Sequence, residues 1–194
     1  MTTANKISVF RILLVPVFVA CAIYYAQSAS AGKPDEFWWR ATIGVFFTAA
    51  VSDFLDGYLA RKWDQRTRLG AILDPLADKL LMLSAMLTLS LTPWPQRLPL
   101  LLPILAISHA VLTIIAAFVI HHVAGYCRIV PHWTGKMATA AQMTAVLWSM
   151  IGISYPSVKW PAGVASVFTV WSGWVYLMDA AGQLARGGSR DESK

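Results

Sequence analysis

The sequence predicts an all-α protein, a six-transmembrane-helix integral membrane bundle. Three observations carry that expectation. Charged residues are only 13% of the 194 and apolar residues 57%, against roughly 25% charge in soluble chains. Mean hydropathy is +0.54. Several apolar stretches approach the roughly 20 residues that a helix needs to cross a bilayer.

The elements follow in order. Helices are expected over Ile7–Gln27, Trp38–Arg61, Leu69–Leu91, Leu98–His122, Thr134–Ile153 and Val158–Leu184. Breakers separate them: Gly32-Lys33-Pro34, Pro93-Trp94-Pro95, Pro131 and Tyr155-Pro156, where proline or glycine interrupts the helical ladder. One membrane domain covers residues 1–185, and a short polar tail follows over 186–194. The first apolar run is long and lacks a small-residue cleavage motif, so it reads as a helix rather than a cleavable leader. Cys21 lies inside that run and Cys127 in a loop. Two isolated thiols give neither a disulfide framework nor a zinc site.

Basic residues set the orientation. Lys6, Arg11, Arg61, Lys62, Arg66, Arg68, Arg128, Lys136, Arg186, Arg190 and Lys194 fall on one side, and Lys33, Arg40, Arg97 and Lys159 on the other. The positive-inside bias makes the first side, with both termini, cytoplasmic. Trp38, Trp39, Trp94 and Trp160 then fall at the opposite ends of the spans, where an aromatic belt is expected. The net charge of +6 is spread between apolar spans. That distribution suits membrane lipids and phosphorylated substrates and gives no reason to expect nucleic acid.

Four of the ten acidic residues, Asp53, Asp56, Asp74 and Asp78, fall within or beside the second and third apolar helices. A carboxylate costs several kcal/mol in a bilayer, so such residues usually have a functional partner. Asp53 and Asp56 are three apart and share a face; Asp74 and Asp78 are four apart and share another. A short connection lets the two faces meet at the cytoplasmic end. Four converging carboxylates repel unless a hard cation neutralises them, and oxygen-only ligands suit Mg²⁺ or Mn²⁺. Two ions about 3.5–4 Å apart would suit phosphoryl displacement. Gly57, Ala60 and Gly70 are small enough for close approach, and Arg61 places a phosphate-matching fork at the helix end. Ion pairing of these acids with Arg61, Lys62 or Lys79 is the plain structural alternative.

The run Asp53-x2-Asp56-Gly57-x2-Ala60-Arg61-x8-Gly70-x3-Asp74-x3-Asp78 resembles the signature of the CDP-alcohol phosphotransferase family. The six expected helices look like that family's architecture, so the resemblance covers nearly the whole chain. It implies an enzyme with its active site at the cytoplasmic end of the bundle, in a bacterial inner membrane. The phosphatidyl group of CDP-diacylglycerol would pass to an alcohol with release of CMP. Asp53, Asp56 and Asp74 would hold metal. Asp78 would act as general base and as a further ligand. Asp56, Gly57, Ala60, Arg61 and Gly70 would form the CDP-binding site.

Weaker patterns bear on the acceptor. Asn5-x2-Ser8-x2-Arg11 is similar to the N-terminal pattern of the branches that use glycerol-3-phosphate or phosphatidylglycerol. It also suits an interfacial anchor with a snorkelling Arg11. Leu73-Asp74-Pro75-Leu76-Ala77-Asp78-Lys79 resembles the same branches. Lys136, at the opening of the fifth helix, is a candidate anion contact, or else an interfacial lysine. Arg128 is a further acceptor candidate. Two departures stand out. His109-Ala110 occupies the place of an expected Arg-acid pair, and Ala138 that of an expected Lys. His109 could bind an anion when protonated, but a packed, hydrogen-bonded core histidine is the reading preferred. Glycerol-3-phosphate is the expected acceptor, with phosphatidylglycerol the alternative. Gly163 and Gly173 mark close helix packing or a homodimer face. A transporter with intramembrane carboxylates is a rival of another class, but it leaves the Gly57, Ala60, Arg61 and Gly70 spacing unexplained. A catalytically silent homologue is the remaining rival, against which the intact Asp78 argues.

Overall fold

The computed structural model describes residues 3–62, 68–124, 133–153 and 157–191, with side chains over 9–52, 76–116, 118–119, 133–153 and 157–182. Within them the chain forms six helices and no strand: α1 (Thr3–Ser30), α2 (Glu36–Lys62), α3 (Arg68–Leu91), α4 (Leu101–Ala124), α5 (Trp133–Ile151) and α6 (Lys159–Asp191). The chain falls into two compact units. One comprises Met1–Leu98 with Val146–Tyr155, and the other Pro99–Ala145 with Pro156–Lys194.

Local chemistry explains the helix ends. Gly32 adopts φ 74°, which a residue without Cβ reaches at little cost. Its N–H donates to Ala29 O at 3.1 Å and that of Lys33 to Ser28 O at 3.1 Å, the paired bonds of a Schellman cap. Asp35 then opens α2: its Oδ1 accepts the Phe37 N–H at 2.9 Å. This cap moves the start of α2 ahead of Trp38, where the apolar run begins. α4 starts later than expected. The Leu98 N–H turns back to Leu89 O at 3.3 Å and Leu98 is buried, so Leu98 is tied to the end of α3. Gly152, at φ 77°, stops α5. α6 runs on to Asp191, past the expected end at Leu184 and through most of the expected polar tail.

In the first unit, α1 packs on both α2 and α3, and α2 also meets α3. The buried positions of α3, Ala77, Leu81, Ala85 and Leu89, recur every four residues and form one face. Ala22 and Ala26 of α1 and Ala49 of α2 are fully buried. These small side chains let the helix backbones approach one another closely. Phe18 and Phe46 fill the gap with ring centroids 5.7 Å apart. In the second unit, α4 packs on α6, whose Ala162, Ala165, Thr169 and Ser172 are buried at alternating spacings of three and four. Gln142 Nε2 donates to Thr169 Oγ1 at 2.8 Å, linking α5 to α6. Thr42, Ser166 and Thr169 each donate to the carbonyl four residues earlier, which satisfies their hydroxyls without water.

Two expectations are corrected. Trp94 is not a belt residue: it is 3% exposed, with its indole N–H donated to Ser149 O at 2.9 Å and its ring edge-on to Tyr25 at 4.6 Å. Burying an indole requires such an acceptor, and the end of α5 supplies it. Arg11 is not a snorkelling anchor: no part of it is exposed, whereas snorkelling keeps the charged head in water. Among the described residues, only Val9–Ser30 is a helix long and apolar enough to cross a membrane, and Leu101–Ala116 is a shorter apolar helix.

Candidate active site

α2 carries Asp53 and Asp56, and α3 carries Asp74 and Asp78. At about 100° per residue, Asp53 and Asp56 lie roughly 60° apart around α2, and Asp74 and Asp78 roughly 40° apart around α3. Each pair therefore occupies one face of its helix. Both helices pack on α1. Asp78 is partly exposed between buried Ala77 and exposed Lys79, at the border of the α3 core face. Arg61 and Gly57 stand on the last two turns of α2, and Gly70 in the first turn of α3. The side chains of Asn5, Ser8, Asp53, Asp56, Ala60, Arg61 and Asp74 lie outside the described residues, and so does Arg128 entirely.

The electrostatic feature that the described residues add is Arg11. Its guanidinium is fully buried on α1, the helix that packs against both carboxylate-bearing helices. A permanent cation withdrawn from solvent demands compensating negative charge.

Two acceptor candidates belong to a different packed group, in the second unit. His109 of α4 stands edge-on to Tyr176 of α6, with centroids 5.7 Å apart and planes at 77°. Gly173 lies against the same imidazole: a Cβ there would sit 3.3 Å from His109 Cδ2. Gly135, one residue before Lys136, packs on Ser172 and Tyr176, where a Cβ would lie 3.6 Å from Ser172 Oγ. α6 therefore bridges His109 and the opening turn of α5. Lys136 is exposed there, beside the free N–H groups of a helix start. Ala138 is 4% exposed, so a lysine at that place would need repacking. Tyr176 and Ser172 were not legible as site residues, because a tyrosine or serine in an apolar helix reads as core. Gly173 was the available signal, and its close packing is within the chain. Gly163, by contrast, has nothing within 4 Å of a notional Cβ.

A family model described as CDP-alcohol phosphatidyltransferase matches residues 1–177. The chain belongs to that family. It is thus a transferase, and the matched region takes in the four carboxylates, His109, Lys136 and Tyr176. Its relatives include proteins named CDP-diacylglycerol–glycerol-3-phosphate 3-phosphatidyltransferase. That of Haemophilus influenzae is 34% identical over 182 residues, covering 92% of each chain. Those of Salmonella typhimurium and Escherichia coli K12 are each 32% identical over 186 residues, covering 92% of this chain and 94% of the relative.

For this family member the donor set suits a divalent metal. Carboxylates alone, spaced at one helical turn on two neighbouring helices, offer the hard oxygen ligands that such an ion takes. The packing around His109 is testable separately. Gly173→Val should lower thermal stability in detergent by about 1–3 kcal/mol, because a branched side chain must displace the imidazole. An unchanged melting temperature would show that the ring yields without cost.

Proposed function

We propose that this chain transfers the phosphatidyl group of CDP-diacylglycerol to glycerol-3-phosphate at the cytoplasmic face of a membrane, releasing CMP. The observation that carries this reading is the pair of carboxylate faces on α2 and α3, within a chain similar over 92% of its length to proteins named for that reaction.

Asp53, Asp56, Asp74 and Asp78 would hold Mg²⁺ or Mn²⁺, as two ions. Bound there, the metal supplies Lewis-acid neutralisation of the pyrophosphate charge. Arg61 offers the fork of donors that matches a phosphate, while Gly57, Ala60 and Gly70 leave room for the nucleotide beside the helix backbone. Asp78 accepts the proton of a glycerol-3-phosphate hydroxyl as that oxygen bonds to the lipid-linked phosphorus. The bond from that phosphorus to the bridging oxygen breaks, and CMP departs with the oxygen. No covalent enzyme intermediate is needed. Arg11 serves as a buried counter-charge to the carboxylates, which stops them repelling one another before metal and substrate arrive. Lys136 holds the acceptor phosphate; a lysine so close to a helix N-terminus is itself disfavoured by the dipole and gains from an anion.

The membrane assignment is supported by exposed Leu13, Val17 and Phe47 in the first unit and by Ile104, Ile114, Phe118, Val167 and Trp174 in the second. Apolar exposure on this scale is costly in water and ordinary in lipid. A cysteine placed between α2 and α3, with Cys21 and Cys127 removed, should be labelled from the cytoplasmic side only. Labelling from outside intact cells would invert the topology.

The purified enzyme, given CDP-diacylglycerol, Mg²⁺ or Mn²⁺ and a panel of alcohols, should release CMP fastest with glycerol-3-phosphate. Phosphatidylglycerol outpacing it would reassign the acceptor. In the same assay Lys136→Ala should raise KM for glycerol-3-phosphate roughly tenfold with kcat nearly kept, the mark of lost ground-state binding. An unchanged KM would detach α5 from acceptor recognition.

A further inference from the structure

A cavity lies at the end of α2 opposite the carboxylates. It has a volume of about 520 Å³ and is lined by Tyr25, Glu36, Trp39, Arg40, Trp94 and Met150 among others, within the range of small-ligand sites. Arg40 precedes Asp53 by 13 residues of one helix, so about 20 Å of axial rise separates the cavity from the proposed reaction centre.

The walls are fixed by bonds between distant segments. Trp39 Nε1 donates to Met150 O at 2.9 Å and Trp94 Nε1 to Ser149 O at 2.9 Å. The Ser149 hydroxyl in turn donates to Gln96 O. Each indole spends its N–H on the end of α5; Trp94 is buried there, and Trp39 keeps part of its surface open beside the cavity. The charged residues in the lining are one acid and one base, Glu36 and Arg40. They are joined by a single 2.7 Å bond, and their side chains are 76% and 73% exposed. A guanidinium has five N–H donors, so that bond leaves Arg40 with capacity for an anion. Glu36 likewise keeps acceptor capacity for a cation with hydrogens to donate.

We propose that this cavity binds the headgroup of a zwitterionic aminophospholipid of the phosphatidylethanolamine class, resting on the membrane reading above. The phosphate meets Arg40. The primary ammonium donates to Glu36 beside the partly exposed indole of Trp39, an aromatic ring of the kind that attracts cations. An anionic headgroup without an amine leaves Glu36 facing like charge, and a quaternary amine has no N–H to give it. Tyr24 and Phe37, next in sequence to the lining residues Tyr25 and Glu36, are exposed and offer apolar surface to acyl chains. This favours the intact lipid over its soluble headgroup.

Native mass spectrometry of the delipidated full chain in detergent tests the assignment, with short-chain phosphatidylethanolamine, phosphatidylglycerol, phosphatidylcholine and soluble glycerophosphoethanolamine as probes. Phosphatidylethanolamine should bind at least about tenfold tighter than the other three, the scale of one charge-assisted bond. Glu36→Gln with Arg40→Gln should abolish the preference, and Glu36→Lys should turn it toward phosphatidylglycerol. CMP release at saturating substrates should be unchanged in these variants, whose substituted residues are solvent-exposed. Equal binding of the three lipids by the unaltered chain would overturn the proposal, as would a preference that survives the double substitution. Soluble headgroup binding as tightly as the lipid would refute the lipid assignment. The binding readout needs no turnover, so an inactive enzyme that still selects phosphatidylethanolamine would count against the transferase reading alone.

Discussion

Asp56→Asn and Asp74→Asn should each lower CMP release by at least ~10²-fold, the scale of removing one preorganised electrostatic contact. Asparagine keeps the size and one carbonyl oxygen but removes the negative charge that a hard divalent ion requires. Saturating EDTA should abolish turnover, and Mg²⁺ or Mn²⁺ should restore it. Asp35→Asn is the control. Asp35 caps α2 at the opposite end, and asparagine caps a helix about as well as aspartate, so turnover should be kept. Loss of activity in Asp56→Asn and Asp74→Asn with an unchanged melting temperature assigns the effect to chemistry. Full activity in EDTA would remove metal from the mechanism.

Asp78→Asn should lower transfer by about 10²–10⁴-fold, the range for loss of a positioned general base, while donor binding persists. The asymmetry follows from timing: the proton moves only as the acceptor oxygen attacks, so the base acts in the transition state and adds little to ground-state affinity. Measuring donor retention and CMP release on the same preparation separates the two. Near-normal turnover would reject Asp78 as the base. Loss of donor binding in parallel with activity would instead make it chiefly a ligand of the donor complex. Its position at the edge of the α3 core face, between buried Ala77 and exposed Lys79, leaves the side chain partly open to an incoming acceptor.

Much was legible in the residues themselves. Carboxylates are costly in apolar helices, so four of them at one-turn spacing announce a site before any fold is known. Helical periodicity placed Asp53 with Asp56 and Asp74 with Asp78, and α2 and α3 carry them as two such pairs. The break at Gly32 was equally plain. The Asp35 cap was also written in the sequence, but an apolar-run criterion places the helix start at Trp38 and passes over it.

Tertiary structure alone decided the rest. Arg11 near the start of an apolar helix reads as an acceptor contact or, alternatively, as an anchor, and only the packing of its helix on two others leaves the guanidinium fully buried. Trp94 beside two prolines reads as an interfacial tryptophan, but Ser149, 55 residues away, provides the carbonyl that lets it be buried. Tyr176 joins His109 to the start of α5 across three helices. Sequence spacing specifies which residues share a face of one helix. Which faces meet depends on packing between helices far apart in the chain, and no local pattern encodes that.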